Sequence, residues 1–288
     1  MKIIPLAFES FGTRGMCTWI DTGDARILVD PGVNLAPMRF GLPPHPIELE
    51  RKKEHWASIE AFARQSDVLI VTHYHFDHIN PEGLHVFRGK VALVKHPHRN
   101  INHNQEQRAE EIIPVLQSAA TELHYADGKE FRFGNTHLLF SPAVHHGTHP
   151  RVCTIQVALS DGDSTLVHTS DVVGAELAEH VEFILQRRPE IVIVDGPNFS
   201  LKRPATDGIV EIITRTDVRT VVVDHHLLRD ERWKAQMAQV YRVAESKSVR
   251  VLSAAEFMGK ENDLLEARRP RLYTEHPIES QKESPECH

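Results

Sequence analysis

Apolar residues recur along this chain in short unbroken runs, each followed by a stretch of helical spacing or by polar punctuation. "DVLIV" (67–71), "VALVK" (91–95), "EIVIVDGP" (190–197) and "RTVVVDHH" (219–226) are the clearest runs. Four or five such residues without alternation fit strands covered on both faces. "CTWID" (17–21) and "ARILVD" (25–30) read as a hairpin turned at Gly23. "HLLFS" (137–141), "RVCTIQVAL" (151–159) and "STLVHTS" (164–170) add further strands. Helical spacing appears at 47–64, with Trp56, Ile59 and Phe62/Ala63 on one stripe, and again at 103–118, 175–187, 205–215 and 230–244. Strands come first and then alternate with helices, so the class is α/β with sheets covered by helices.

Two segments break this grammar. Residues 31–48 hold five prolines and two glycines, which excludes regular structure. Because the loop 31–47 leaves directly from the strand ending in Asp30, it is expected beside any site there. Either it walls the substrate pocket, with Phe40 and Leu42 as apolar contacts, or it is a rigid structural loop. Past residue 260 the apolar residues thin out, so the expectation is one domain over 1–260 and a polar, flexible tail over 261–288.

Composition narrows the partners. The net charge of −7 over 288 residues argues against a general duplex-binding surface. Cys17, Cys153 and Cys287 form no CxxC pair and no disulfide framework, a pattern that fits a reducing compartment. The N-terminal apolar stretch is too short for a secretory signal, and no run approaches the length of a membrane span. A cytoplasmic protein with a small-molecule substrate is expected, and its oligomeric state stays open.

The candidate chemistry gathers where strands end. "VTHYHFDHIN" (71–80) places three histidines and an aspartate in six positions directly after an apolar strand. In an extended chain His73 and His75 share a face and can hold one cation. Asp77 and His78 converge only if the chain turns there, and "NPEG" just downstream signals such a turn. A turn would aim the second pair at a different point, favouring two metal ions over one. Other strand ends carry Asp30, His145–His146, Asp171, Asp195 and Asp224–His225–His226. Ligands of open α/β sheets sit outside such carboxyl ends. Imidazole with carboxylate suits Zn, Mn or Fe.

The run Thr72-His73-Tyr74-His75-Phe76-Asp77-His78 resembles the T-H-x-H-x-D-H signature of the metallo-β-lactamase-fold hydrolases. "ILVDPG", "VHHG", "HTSD" and "VDHH" resemble that family's other motifs in the same order, and the resemblance spans residues 1 to about 258. "SFGTRGMCTWIDT" with "DHHLLRD" is similar to a narrower group of stand-alone proteins best represented in archaea. The resemblance implies a four-layered αββα fold, two mixed sheets sandwiched between helices. It puts His73, His75 and His146 on one ion, Asp77, His78 and His225 on a second, and Asp171 between them. Asp30 would orient a ligand histidine. His145 and His226, the neighbours of ligand histidines, would be a proton donor, a substrate contact or a support.

The resemblance thus implies two divalent ions about 3.5–4 Å apart with a hydroxide bridging them. Zinc is the foremost metal, with Mn or Fe as alternatives. Asp77 would orient that water and accept its proton. A phosphoester or phosphodiester is the favoured substrate, a thioester or lactone the next. An iron-dependent oxidoreductase of the persulfide dioxygenase type and a non-catalytic metal-binding protein are the other classes the motif admits. Arg39, Arg203 and Arg229 lie on loops where they could grip a phosphate, although each also reads simply as a solvated surface arginine. The remaining histidines read as surface or capping residues; for His149, three positions past the proposed ligand His146, reaching the site is the alternative.

Overall fold

The computed structural model describes residues 1–199 and 205–278. The first half forms a mixed sheet in the order β1 (Lys2–Phe8), β2 (Met16–Asp21), β3 (Arg26–Val29), β4 (Val68–Val71), β5 (Val91–Val94) and β6 (Glu122–Tyr125). Its first three strands pair antiparallel and β3 to β6 run parallel. Two short strands, β9 (Val144–His145) and β10 (Cys153–Thr154), pair with each other. The second sheet contains β7 (Glu130–Phe133), β8 (Thr136–Phe140), β11 (Val157–Ser160), β12 (Thr165–His168), β13 (Ile191–Asp195), β14 (Thr220–Asp224) and β15 (Arg250–Leu252). It runs in the order β15-β14-β13-β12-β11-β8-β7, with β12 to β15 parallel.

The helices are α1 (Pro46–Gln65), α2 (His103–Ala119), α3 (Ala178–Arg187), α4 (Asp207–Arg215), α5 (Trp233–Gln236), α6 (Ala238–Ser246), α7 (Ala254–Phe257) and α8 (Arg269–Glu275). Strand alternation sorts the core into three layers. Leu28, Leu69, Val71, Ala92 and Val94 face α1 and α2 through Ile59, Ala63, Ile112 and Leu116. Their strand neighbours Ile27, Val29, Val68, Ile70 and Leu93 turn to the other side and meet Leu138, Val157, Leu159, Ile193 and Val222 of the second sheet. Val167, Val192, Val194, Val221 and Val223 then pack outward on α3, α4 and α6. Both sheets are thus covered on both faces, which is why the central strands carry no polar alternation, and the architecture is αββα.

Some elements depart from the pattern-based reading. β1 contains Pro5, tolerated because β1 is an edge strand whose pairing with β2 slips between Pro5 and Ala7. The expected strand 151–159 is interrupted between β10 and β11. The expected helix 230–244 is broken into α5 and α6, preceded by a 3-10 turn at His225–Arg229.

The chain beyond 260 differs most from the expected flexible tail, because packed structure continues through the described residues. Leu265 and Leu272 are buried, and the fully buried Arg269 donates to both carboxylate oxygens of Glu48 at 2.8 Å. Apolar density misses such an anchor, since it is a charged pair buried on both sides. The same arginine donates to the carbonyls of Ala36 and Leu42, so it also fixes the proline-rich loop. Residues 279–288 of that tail, and Arg203, lie outside the described residues. No helix among the described residues is long and apolar enough to cross a membrane.

Candidate metal centre

The carboxyl ends of β3, β4, β12, β13 and β14 open onto one edge of the sandwich, and the candidate residues follow them directly. Parallel register sets Asp195 beside Asp224 and runs β3 alongside β4. Asp30, Ser170 and His225, each where a strand hands over to the site, adopt left-handed backbone with φ of 51°, 55° and 62°. That conformation is uncommon for residues with a Cβ and recurs at functional sites, where the surroundings enforce it. The turn in 71–80 comes through His78 and Ile79, whose N–H groups both donate to the carbonyl of His75.

Asp30 ties the two ends of that stretch together. One oxygen accepts from the Thr72 N–H at 2.8 Å. The other accepts from Thr72 Oγ1 and from His78 Nδ1, each at 2.7 Å. His78 Nε2 is thereby turned towards Asp171 Oδ1, 2.9 Å away. His225 is set in the same way: its Nδ1 lies 2.8 Å from Glu9 Oε2, and its Nε2 faces Asp171 Oδ1 at 3.4 Å and Asp77 Oδ2 at 3.8 Å. The Nδ1 of His73 rests among the hydroxyls of Thr72, Thr154 and Ser170, while its Nε2 is 3.0 Å from His75 Nδ1. His146 Nε2 completes the group 2.9 Å from Asp171 Oδ2.

Two ligand-type groupings result, His73, His75, His146 and Asp171 on one side and Asp77, His78 and His225 on the other. Within each, one ligand atom per residue lies within 4.8 Å of the others. Asp171 has one oxygen near His146 and the other near His78 and His225. His226 also comes close to Asp171 and His225, but its Nδ1 is held 3.0 Å from both oxygens of buried Asp195. His145 points away, with its backbone N–H and Nδ1 both 2.7 Å from Glu179 Oε1.

The electrostatics fit a divalent cation. Burial works to lower the His78 pKa, yet Asp171 and Asp30 outweigh it and hold the ring well above its usual range. Burial of His225 is likewise outweighed, by Glu9 and Asp171. Burial alone would raise Asp77 and Asp171, but His78 and His225 hold Asp171 well below the carboxylate range and take Asp77 down to about 2. His73, chiefly desolvated, is pushed well below 6.5 and stays neutral. Protons on His78 and His225 therefore stand where cation charge would otherwise balance the carboxylates. His78 Nε2 and Asp171 Oδ1, close as they are, have no hydrogen-bond partner among the described residues. A shared cation would satisfy both buried atoms. The donors are nitrogen and oxygen only, since the described cysteines, Cys17 and Cys153, are outside these groups.

Several supports were invisible in the sequence pattern. Glu9 sits in "AFESFG" with no motif around it and reaches His225 because Asp224, at the end of β14, accepts from the Ser10 N–H. Gln105 of α2 approaches His75 at 3.4 Å, and Glu179 of α3 takes up His145. Asp195 and Asp224, by contrast, follow apolar strands as Asp30 does, and that signal could have marked them as supports. His149 accepts from the Arg151 and Val152 N–H groups and lines a neighbouring cavity of about 670 Å³ with His145, Asn102 and Cys153, outside both ligand groupings. His85, His98, His124 and His137 pair with surface glutamates. His168 is buried instead: its Nε2 donates to the Met16 carbonyl and its Nδ1 accepts from the Ser170 N–H. Phe40 is 58% exposed, with the Arg39 guanidinium 4.7 Å over its ring.

Residues 11–225 match the family described as the metallo-β-lactamase superfamily. The chain belongs to this superfamily. Among its relatives are a UPF0282 protein of Metallosphaera sedula, 43% identical over 96% of this chain and 93% of the relative, and one of Korarchaeum cryptofilum, 40% identical over 97% and 96%. The fold is also similar to that of the metallo-β-lactamase fold protein YhfI from Bacillus subtilis, with a TM-score of 0.55, 16% identity, and 91% and 97% of the two chains covered.

Proposed function

We propose that this protein is a two-metal hydrolase acting on a small phosphoester or phosphodiester. The observation that carries this reading is the pair of ligand groupings meeting at Asp171, each of whose histidines presents one ring nitrogen inward. His73, His75 and His146 would hold one ion and Asp77, His78 and His225 the other, with Asp171 shared. Zinc is the favoured metal, with manganese or iron as alternatives. Two ions held there would lower the pKa of an attacking water towards neutrality and stabilise charge developing on the substrate oxygen.

The chain's own residues do the rest. Asp30 and Glu9 accept from the Nδ1–H groups of His78 and His225, fixing the tautomer that leaves each Nε2 lone pair inward. Asp77, kept ionised, would orient the attacking water and accept its proton. His226, steadied by Asp195 and kept neutral by burial and by Arg229, stands at the edge of the same cluster, where its ring could contact the substrate. Phosphoesters gain most from a clamp of this kind. The free, buried state of Cys17 and Cys153 supports a reducing, cytoplasmic setting.

The test is metal analysis of anaerobically purified protein with a turnover screen over phosphodiester, thioester, lactone and persulfide substrates. Metal-dependent cleavage of a phosphodiester such as bis(p-nitrophenyl) phosphate supports the reading. Exclusive turnover of a thioester or lactone would replace the substrate class, and one iron per chain with oxygen uptake would replace the reaction.

A further inference from the structure

Arg229 stands apart from the other loop arginines. Its side chain is only 12% exposed, and its Nε and Nη2 both lie 2.9 Å from Glu9 Oε1. Its Nη2 also comes within 3.4 Å of His225 Nε2, the nitrogen that faces Asp77 and Asp171. The arginine is held from behind as well, since Arg39 Nη2 donates to the Arg229 carbonyl at 3.0 Å. Arg39 in turn lies beside Glu266, whose two oxygens accept from Arg14.

Glu9 has two duties: Oε2 sets His225 and Oε1 sets Arg229. Glu9 is thus shared between the guanidinium and His225, whose Nε2 also faces the carboxylates of Asp77 and Asp171. A cation held at His225 Nε2 would stand close to this guanidinium, two positive centres side by side. Their repulsion is relieved when an anionic oxygen lies between them. The planar guanidinium fork suits such an oxyanion.

We propose that Arg229 is the substrate-anion residue of the centre, holding an anionic oxygen of the scissile phosphoryl group beside His225, with Glu9 as the carboxylate that positions both. This rests on the metallohydrolase reading and narrows its substrate to one that is negatively charged at the reacting group.

The experiment is calorimetric titration of manganese-loaded protein with inorganic phosphate, for the wild type, Arg229→Met and Arg229→Lys, with metal content measured on each. The expected result is phosphate binding by the wild type, at least a 10-fold loss in Arg229→Met with metal content unchanged, and partial recovery in Arg229→Lys. Equal phosphate affinity in wild type and Arg229→Met, or no phosphate binding by metal-loaded wild type, overturns the assignment while leaving the metal reading intact. A wild type that takes up no metal overturns both. Should Arg229→Met fail to fold, a crystal structure of the manganese-loaded wild type with phosphate decides. A phosphate oxygen within hydrogen-bond distance of Arg229 supports the assignment, and phosphate bound with Arg229 contacting Glu9 alone overturns it.

Discussion

Replacing Arg269 by methionine should destabilise the whole domain, although the residue lies beyond the last strand and apart from the metal centre. The side chain is fully buried, and its Nε and Nη2 donate to the two oxygens of equally buried Glu48 at 2.8 Å. Its Nη1 donates to the carbonyls of Ala36 and Leu42 at 3.0 Å. Glu48 is committed elsewhere too, accepting from the His45 N–H in the capping box that opens α1. Methionine keeps much of the volume but leaves a buried carboxylate without its counter-charge, and breaking such a pair costs about 3–5 kcal/mol. At a few degrees per kcal/mol, the melting temperature should fall by roughly 10 °C. The assay is a thermal melt of the full chain for Arg269→Met, Glu48→Gln and the double variant. The double variant should lose clearly less than the sum of the singles, because it leaves no buried charge unpaired. An Arg269→Met protein within about 1 kcal/mol of wild type, or strictly additive losses, would refute the reasoning and return 261–278 to the status of a dispensable tail.

The same network of contacts sets three further expectations. Asp30→Asn removes the charge that orients His78 and should weaken metal binding by about 10- to 100-fold; unchanged affinity by calorimetry would strip Asp30 of that role. Gly32→Ala should destabilise by about 2–3 kcal/mol, because a Cβ there would stand 2.4 Å from the Ile79 nitrogen and 2.5 Å from the His78 carbonyl carbon. A melt unchanged from wild type would show that the two backbones have room to part. His55, whose Nδ1 is 2.6 Å from Thr13 Oγ1, is lowered to about 4 by burial and then by Arg51 and Lys260. A histidine kept neutral in the fold contributes its full stability above the unfolded value near 6.5 and loses it as pH falls towards 4. Allowing for the partly exposed ring, wild type should lose about 2 kcal/mol relative to His55→Gln over that window. Parallel stability curves would contradict this.

The sandwich was legible because "DVLIV", "EIVIV" and "RTVVV" fill strands buried on both sides, which admit no polar alternation. The candidate ligands were legible for a related reason: a histidine or aspartate directly after such a strand has few bland explanations. What escaped reading depends on contacts between distant positions. Glu9 acquires its place only when β14 and the N-terminal strand are brought together, and Arg269 only when α8 closes over α1. Left-handed backbone at Asp30, Ser170 and His225 leaves no mark in the residue types, since none is glycine. Pro5 lies in an edge strand, and a proline reads against pairing unless the strand's edge position is known.

The most direct measurement is the metal content of the wild type and of His225→Ala after loading with Zn or Mn and removal of excess ion. Two ions per wild-type chain and one in His225→Ala are expected from ligand groupings that meet at Asp171. A single ion per wild-type chain, undiminished in His225→Ala, would contradict the two-metal centre.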